Sequence, residues 1–266
     1  MAAPLSWKRL CLAFSLLAAL ASGGVLAQKP DLNPEPESPE KDGEKATPAV
    51  DLTKGATDPK VAQQDRVYQT RSQNNLKQIG LAFHNYAASH GHFADNAVSK
   101  GKPTLSWRVA LLPYLDQDKL YREFRLDEPW DSKHNIKLLD KMPDVFRSPR
   151  VKLKGKGNTV YQVFRGPNAP FGRGVPPRFP GAFPDGTSNT ILAVEATDAV
   201  PWTKPADVPF DRTKPVPDFG KAFGKRPLAV LADGSTRVLD LNRMSEATLK
   251  NGIDPADGMV LGADWR

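Results

Sequence analysis

The sequence predicts an α+β fold, with one long helix first and a mostly antiparallel sheet after it, short helices being inserted between them. Three observations carry this. Apolar residues step at helical spacing through Tyr68, Leu76, Ile79, Phe83, Tyr86 and Ala87, within residues 61–90. After Pro143 the texture changes to short runs rich in Val, Phe, Thr and Ile between Gly and Pro clusters. Finally, two β runs in residues 228–241 flank Asp233 and Gly234, a pair that tolerates positive φ and favours a tight hairpin.

The helical stripe is about one face wide, so the helix is expected to lie on a sheet and not to be buried all round. Gly91 is its expected stop, because glycine takes the left-handed cap conformation at least cost. A loop follows over residues 94–104. Short helices are expected at 106–112, ended by Pro113, and at 118–124. A third runs from a Ser132 cap to Lys141, closed by Met142 and Pro143. Strands are expected at 145–146, 159–164 and 190–195, a final short helix at 245–250, and a last strand at 259–261.

Two segments precede this folded part. Residues 1–27 read as a secretory signal peptide: Lys8 and Arg9 form a basic start, residues 10–20 are apolar, and Val25, Leu26 and Ala27 suit a cleavage pocket. The apolar run is short and interrupted by Ser22, Gly23 and Gly24, whereas a membrane span needs about 20 apolar residues. The sequence leaves open whether the peptide is cut or kept as an anchor; after cleavage no transmembrane segment is expected. Residues 28–60 hold six Pro, five Lys and eight Asp or Glu, with almost no large apolar side chains. Such a segment cannot offset its ordering entropy by burial and reads as a disordered Pro-rich acidic linker. The third segment, residues 61–266, is the folded domain.

Charge and cysteine narrow the chemistry. The chain carries +7, of which +2 lies in residues 1–27 and −3 in residues 28–60, leaving +8 on residues 61–266. That surplus favours loose contact with anionic polymers. The basic residues are scattered, only Lys152, Lys154 and Lys156 being close together, so no specific nucleic-acid site is expected. Cys11 is the only cysteine and lies in the leader. The mature chain therefore has no disulfide, no thiolate nucleophile and no Cys-ligated zinc.

No motif names a reaction. Serines are not set in a G-x-S-x-G elbow, and the glycine-rich pieces 155–157 and 172–174 lack the strand–loop–helix setting of a phosphate cradle. No cofactor is implied. His90 and His92 could offer two imidazoles to zinc or copper, with His84 one and a half turns back, but a structural metal site needs about four ligands with orienting partners and only Asp95 is an acid nearby, so no metal site is expected. Asp185 to Asn189 is a polar turn without the ligand series of a calcium loop. Glu195 lies in an apolar run and needs a partner if buried, which makes it a structural ion pair or the seed of a site. Trp107, Trp130, Trp202 and Trp265 are core anchors or stacking platforms. Trp130 and Trp202, in loops between prolines and acids, are the two to inspect for exposure. The candidate ligand-binding set is thus Trp130, Asp185, Asn189, Glu195 and Trp202, with no catalytic residue assigned.

The helix segment Asn74-Asn75-Leu76-Lys77-Gln78-Ile79-Gly80 with His84-Asn85-Tyr86 resembles a large paralogous family of planctomycete proteins known as a domain of unknown function, DUF1559. The likeness continues through Ser106-Trp107-Arg108, residues 111–115 and 126–132, Asp185 to Thr190, Glu195, residues 201–205 and 232–235. It implies a pilin- or pseudopilin-like fold and no particular activity. Three departures matter. No prepilin signal is present, and the Pro-rich linker stands where relatives have the apolar half-helix that packs a pilus. Relatives often carry cysteines at the positions of Ser72 and Ser148, which implies that the two sulfurs pair there and are replaced together here. Relatives often place a histidine where this chain has Phe223.

The resulting expectation is an exported, periplasmic or extracellular, non-enzymatic module of structural or binding role. Its partner is unknown, the class left open being a cell-envelope polymer or glycan. Two alternatives stand beside it: a periplasmic sugar- or glycan-binding protein, and a hydrolase using Glu195 with Asp185 or Asp127.

Overall fold

The computed structural model describes residues 47–48 and 59–265. The chain divides into two units, Met1–Glu40 and Lys41–Arg266. The first unit, and with it the expected signal peptide, lies outside the described residues, as does most of the expected linker. In chain order the second unit holds β1 (Thr47–Pro48), α1 (Pro59–His90), β2 (Val98–Ser99), β3 (Lys102–Pro103), α2 (Trp107–Ala110) and α3 (Asp118–Glu123). Then come β4 (Val151–Lys152), β5 (Asn158–Gln162), β6 (Phe164–Arg165), β7 (Ile191–Pro201), β8 (Val208–Pro209), β9 (Leu228–Leu231), β10 (Thr236–Val238) and α4 (Glu246–Ile253).

The main sheet has four antiparallel strands in the order β10-β9-β7-β5. Helix α1 lies across it. Leu76, Ile79 and Phe83 are each 0% exposed and pack in the same core as Leu192, Leu228 and Val230 of the sheet. Removing each of these side chains from water contributes about 1.5–3 kcal/mol. The approach is close: a Cβ on Gly80 would sit 2.8 Å from Val230 Cγ2, so a glycine is needed where the helix crosses β9. The helix ends where expected. Gly91 has φ +76° and donates to Ala87 O at 2.7 Å.

The opposite face of the sheet is covered by α4 and the C-terminal segment, through Ile191, Val194, Phe219, Ile253 and Trp265. Strand β7 is therefore buried on both faces, which is why its sequence reads as a continuous apolar run and not as an alternation.

Several elements differ from expectation. Residues 145–146 form one 3-10 turn, Asp144–Phe146, closed by Phe146 N–H on Pro143 O. Proline at the turn's entry fixes φ and withholds a ladder donor. The third helix is 3-10 over Asn135–Lys141, with Ser132 Oγ accepting from Asn135 N–H. The 94–104 loop contains the β2–β3 pair, and β6 leaves the main sheet to run parallel to β8. Residues 259–261 form no strand. Glycines at 258 and 262 bracket them, and Val260 is 89% exposed with no strand edge to pair with. The helix starts two residues before the expected boundary, at Pro59, and Thr47–Pro48 inside the expected linker pairs with β4.

Candidate functional site

The five residues singled out by sequence do not converge. Glu195, in the middle of β7, is 0% exposed and sits at the centre of a closed polar cluster. Its Oε1 accepts from Ser72 Oγ at 2.5 Å and Ser148 Oγ at 3.2 Å. Its Oε2 accepts from Arg150 at 2.5 Å and from Leu228 N–H at 3.0 Å. Arg150 also donates to Arg226 O and lies 5.1 Å from the Phe223 ring centre. Phe223, at the position where the resemblance implies a histidine, is thus a cation–π partner.

The donor order in this cluster follows from valence. Ser72 has one hydroxyl proton and gives it to Glu195, so the 2.6 Å contact with Tyr161 must have the tyrosine as donor. Burial, with the Glu195 charge in support, pushes the Tyr161 hydroxyl far above its ordinary range and keeps that proton in place. The positions where the resemblance implies paired cysteines, Ser72 and Ser148, here reach the same carboxylate oxygen. Four chain segments are joined by one acid, and no solvent reaches it.

A second buried network explains the Ser106-Trp107-Arg108 motif. Arg108 is fully buried and donates to Tyr161 O, to Ser106 Oγ and, at 2.9 Å, to Asp207 Oδ1. Trp107 Nε1 donates to the same oxygen at 3.0 Å. Arg165 bridges this pair to Asp95. Burial lowers the Arg108 pKa, and Asp207 opposes that shift. Sequence reasoning missed Asp207 and Arg150, since neither stands in a motif or an apolar periodic run.

Trp202 is also 0% exposed, its Nε1 donating to Leu139 O at 3.0 Å and its ring stacked with Phe146 at 6.0 Å. It is a core anchor. Trp130 is half-buried, with Lys204 Nζ 5.5 Å from its ring centre.

Only Asp185 and Asn189 face open space together. They line a cleft of about 410 Å³ with residues 258–262 and Trp265. Asp185 staples the far wall by accepting from Asp257 N–H at 2.6 Å and Gly258 N–H at 3.1 Å, while Asn189 Nδ2 donates to Asp185 O at 2.8 Å. Met259 and Val260 form an exposed apolar lip, 59% and 89% accessible. Asp264 fixes the cleft's end: donation from Thr248 Oγ1 first, then from Ser245 N–H, holds its carboxyl down at about 2. This cleft is the candidate site. The sequence signal that could have found it is the glycine-bracketed apolar segment 258–262 near Trp265. Among the described residues no group of three or more His, Cys, Asp or Glu is placed to hold a metal.

Residues 69–182 match the model of a family described as a protein of unknown function, DUF1559. Over these residues the chain is similar to that family. No curated protein and no solved structure matches it significantly. The DUF1559 segment contains Ser72, Trp107, Arg108, Ser148, Arg150 and Tyr161, whereas Glu195 and Asp207 lie beyond its end. Both buried charge networks therefore tie the DUF1559 segment to the C-terminal strands. The candidate cleft lies wholly outside it.

Proposed function

We propose that this protein is an exported, non-enzymatic module of the cell envelope or extracellular space, pilin-like in build and structural or binding in role. Export is supported by the basic start, apolar run and Val25-Leu26-Ala27 site. The pilin-like build is supported by a 32-residue helix laid along an antiparallel sheet. No described helix is long and apolar enough to cross a membrane.

The observation that carries the non-enzymatic reading is Glu195. A two-carboxylate hydrolase built on Glu195 needs this acid next to a second carboxylate, about 5–10 Å away across a cleft. Glu195 instead has four donors, and its neighbours are serines, an arginine, a tyrosine and a backbone amide. Such an acid holds segments together and has no free lone pair aimed at a substrate. A second reading, binding of a neutral glycan fragment, is favoured by the cleft between Asp185, Asn189 and Trp265.

The test is expression of the full chain in a Gram-negative host, followed by fractionation and intact mass. A chain beginning at Gln28 outside the cytoplasm is expected; an uncut cytoplasmic chain contradicts export. Glycosidase or esterase turnover abolished by Glu195→Gln at unchanged melting temperature would overturn the non-enzymatic reading. A rise in melting temperature with a neutral oligosaccharide, lost in Asp185→Asn, would select the glycan reading.

A further inference from the structure

At the C-terminal end of α1 the left-handed Gly91 separates His90 from His92 and reverses the chain. Both imidazoles are already oriented. His90 Nδ1 lies 3.0 Å from Tyr86 O, and His92 Nδ1 lies 2.9 Å from Phe93 O. A carbonyl oxygen only accepts, so in each ring Nδ1 carries the proton and Nε2 keeps the bare lone pair. Neither Nε2 has a hydrogen-bond partner among the described residues. The His90 ring is further held by stacking on Tyr86, with centres 4.0 Å apart and planes at 13°.

This is the outer shell that metal-bound histidines have: the far ring nitrogen donating to a backbone carbonyl, so that tautomer and ring direction are set before the ion arrives. The sequence shows the two histidines but not those carbonyls. An ion bonded at about 2.0–2.1 Å to a ring nitrogen lies about 3.2 Å from that ring's centre, so two imidazoles on one ion have centres at most about 6.4 Å apart. The His90 and His92 centres are 6.2 Å apart. With both Nε2 atoms turned to one ion, that separation corresponds to a wide N–metal–N angle, close to the trans positions of a tetragonal plane. A tetrahedral ion would bring the centres to about 5.2 Å. Two imidazoles in a tetragonal plane suit copper(II), which also stands highest in affinity among the divalent first-row ions. No carboxylate joins them. Asp95, whose charge reaches Tyr86, is held by Arg165 at 2.6 Å.

We propose that His90 and His92 form a copper(II) site on the surface at the end of α1, two imidazole Nε2 atoms being the protein ligands and water completing the plane. The site is remote in sequence from the cleft and does not depend on the reading given above.

The test uses the full chain, copper(II) chloride and electron paramagnetic resonance. One ion per chain is expected, with an axial spectrum and hyperfine coupling to two nitrogens. His90→Ala and His92→Ala each lose one nitrogen and weaken binding at least tenfold. His134→Ala leaves binding unchanged, because its Nε2 is taken by Glu123 O at 2.7 Å. Circular dichroism of each variant controls for folding, since His90 is exposed and its loss leaves the core intact. Copper bound equally well by the double variant, or a spectrum with oxygen ligands alone, would overturn the proposal.

Discussion

Glu195 and Asp185 are both carboxylates on the C-terminal side of the DUF1559 segment, and they are used in opposite settings. Glu195 lies in the centre of the sheet, out of water, with serine, arginine and backbone donors from segments far apart in sequence. Asp185 sits at the edge of an open cleft and binds two successive backbone N–H groups of one loop. The first acid holds the fold together. The second shapes a wall and leaves room beside it. Burial and donor count, more than residue type, separate a structural acid from one available to a ligand.

The sharpest way to break this comparison is to remove a partner of the buried acid. Arg150→Ala leaves Glu195 charged and uncompensated, and a loss of about 3–5 kcal/mol is expected in urea titration. A loss near zero would mean that solvent reaches the cluster. The serine pair offers a gain in the same place. Ser72 and Ser148 reach one oxygen, so Ser72→Cys with Ser148→Cys, in a Cys11→Ser background, is expected to form a disulfide. Oxidised against reduced, that variant should be more stable by about 2–4 kcal/mol. Free thiols after mild oxidation would count against the geometry.

At the cleft, Asp185→Asn weakens charge-assisted bonds that water can partly replace. The expected cost is smaller, about 1–2 kcal/mol, with an unchanged urea slope. Equal costs for Asp185→Asn and Arg150→Ala would erase the contrast between the two regions.

The smallest effect concerns pH. His84 packs edge-on against Phe93 and Phe179, and its Nε2 is buried without a partner. Burial lowers its pKa; the Ala232 backbone carbonyl and the Asp233 charge pull the other way and lose. The unfolded chain therefore binds the proton more readily than the folded one. His84's contribution to stability is intact above its ordinary value of 6.5 and declines as the pH falls below it. His84→Gln should flatten the part of the stability–pH curve just below that value.

Parts of this architecture were legible for definable reasons. Leu76, Ile79 and Phe83 announce α1 because a one-sided stripe repeats with the helix, and Asp233-Gly234 announces its hairpin because turn geometry is local. Residues 259–261 look like a strand by composition but find no neighbouring edge, and pairing is not a local property. The same holds for the charge networks. Glu195 and Ser72 are 123 residues apart, and Arg108 and Asp207 are 99 apart. Trp202 lies in a polar loop sequence, yet its Nε1 finds Leu139 O across 63 residues. The histidine-orienting carbonyls belong to the backbone, whose direction no side-chain pattern encodes.

The Leu76, Ile79 and Phe83 face of α1 is packed on the chain's own sheet and not on neighbouring copies. Hydrogen exchange of the amides of residues 76–87 tests it directly, read at two protein concentrations a hundredfold apart. The account predicts protection as strong as that of β7 and β9, and the same at both concentrations. Fast exchange in the dilute sample, with protection gained only on concentration, would contradict it.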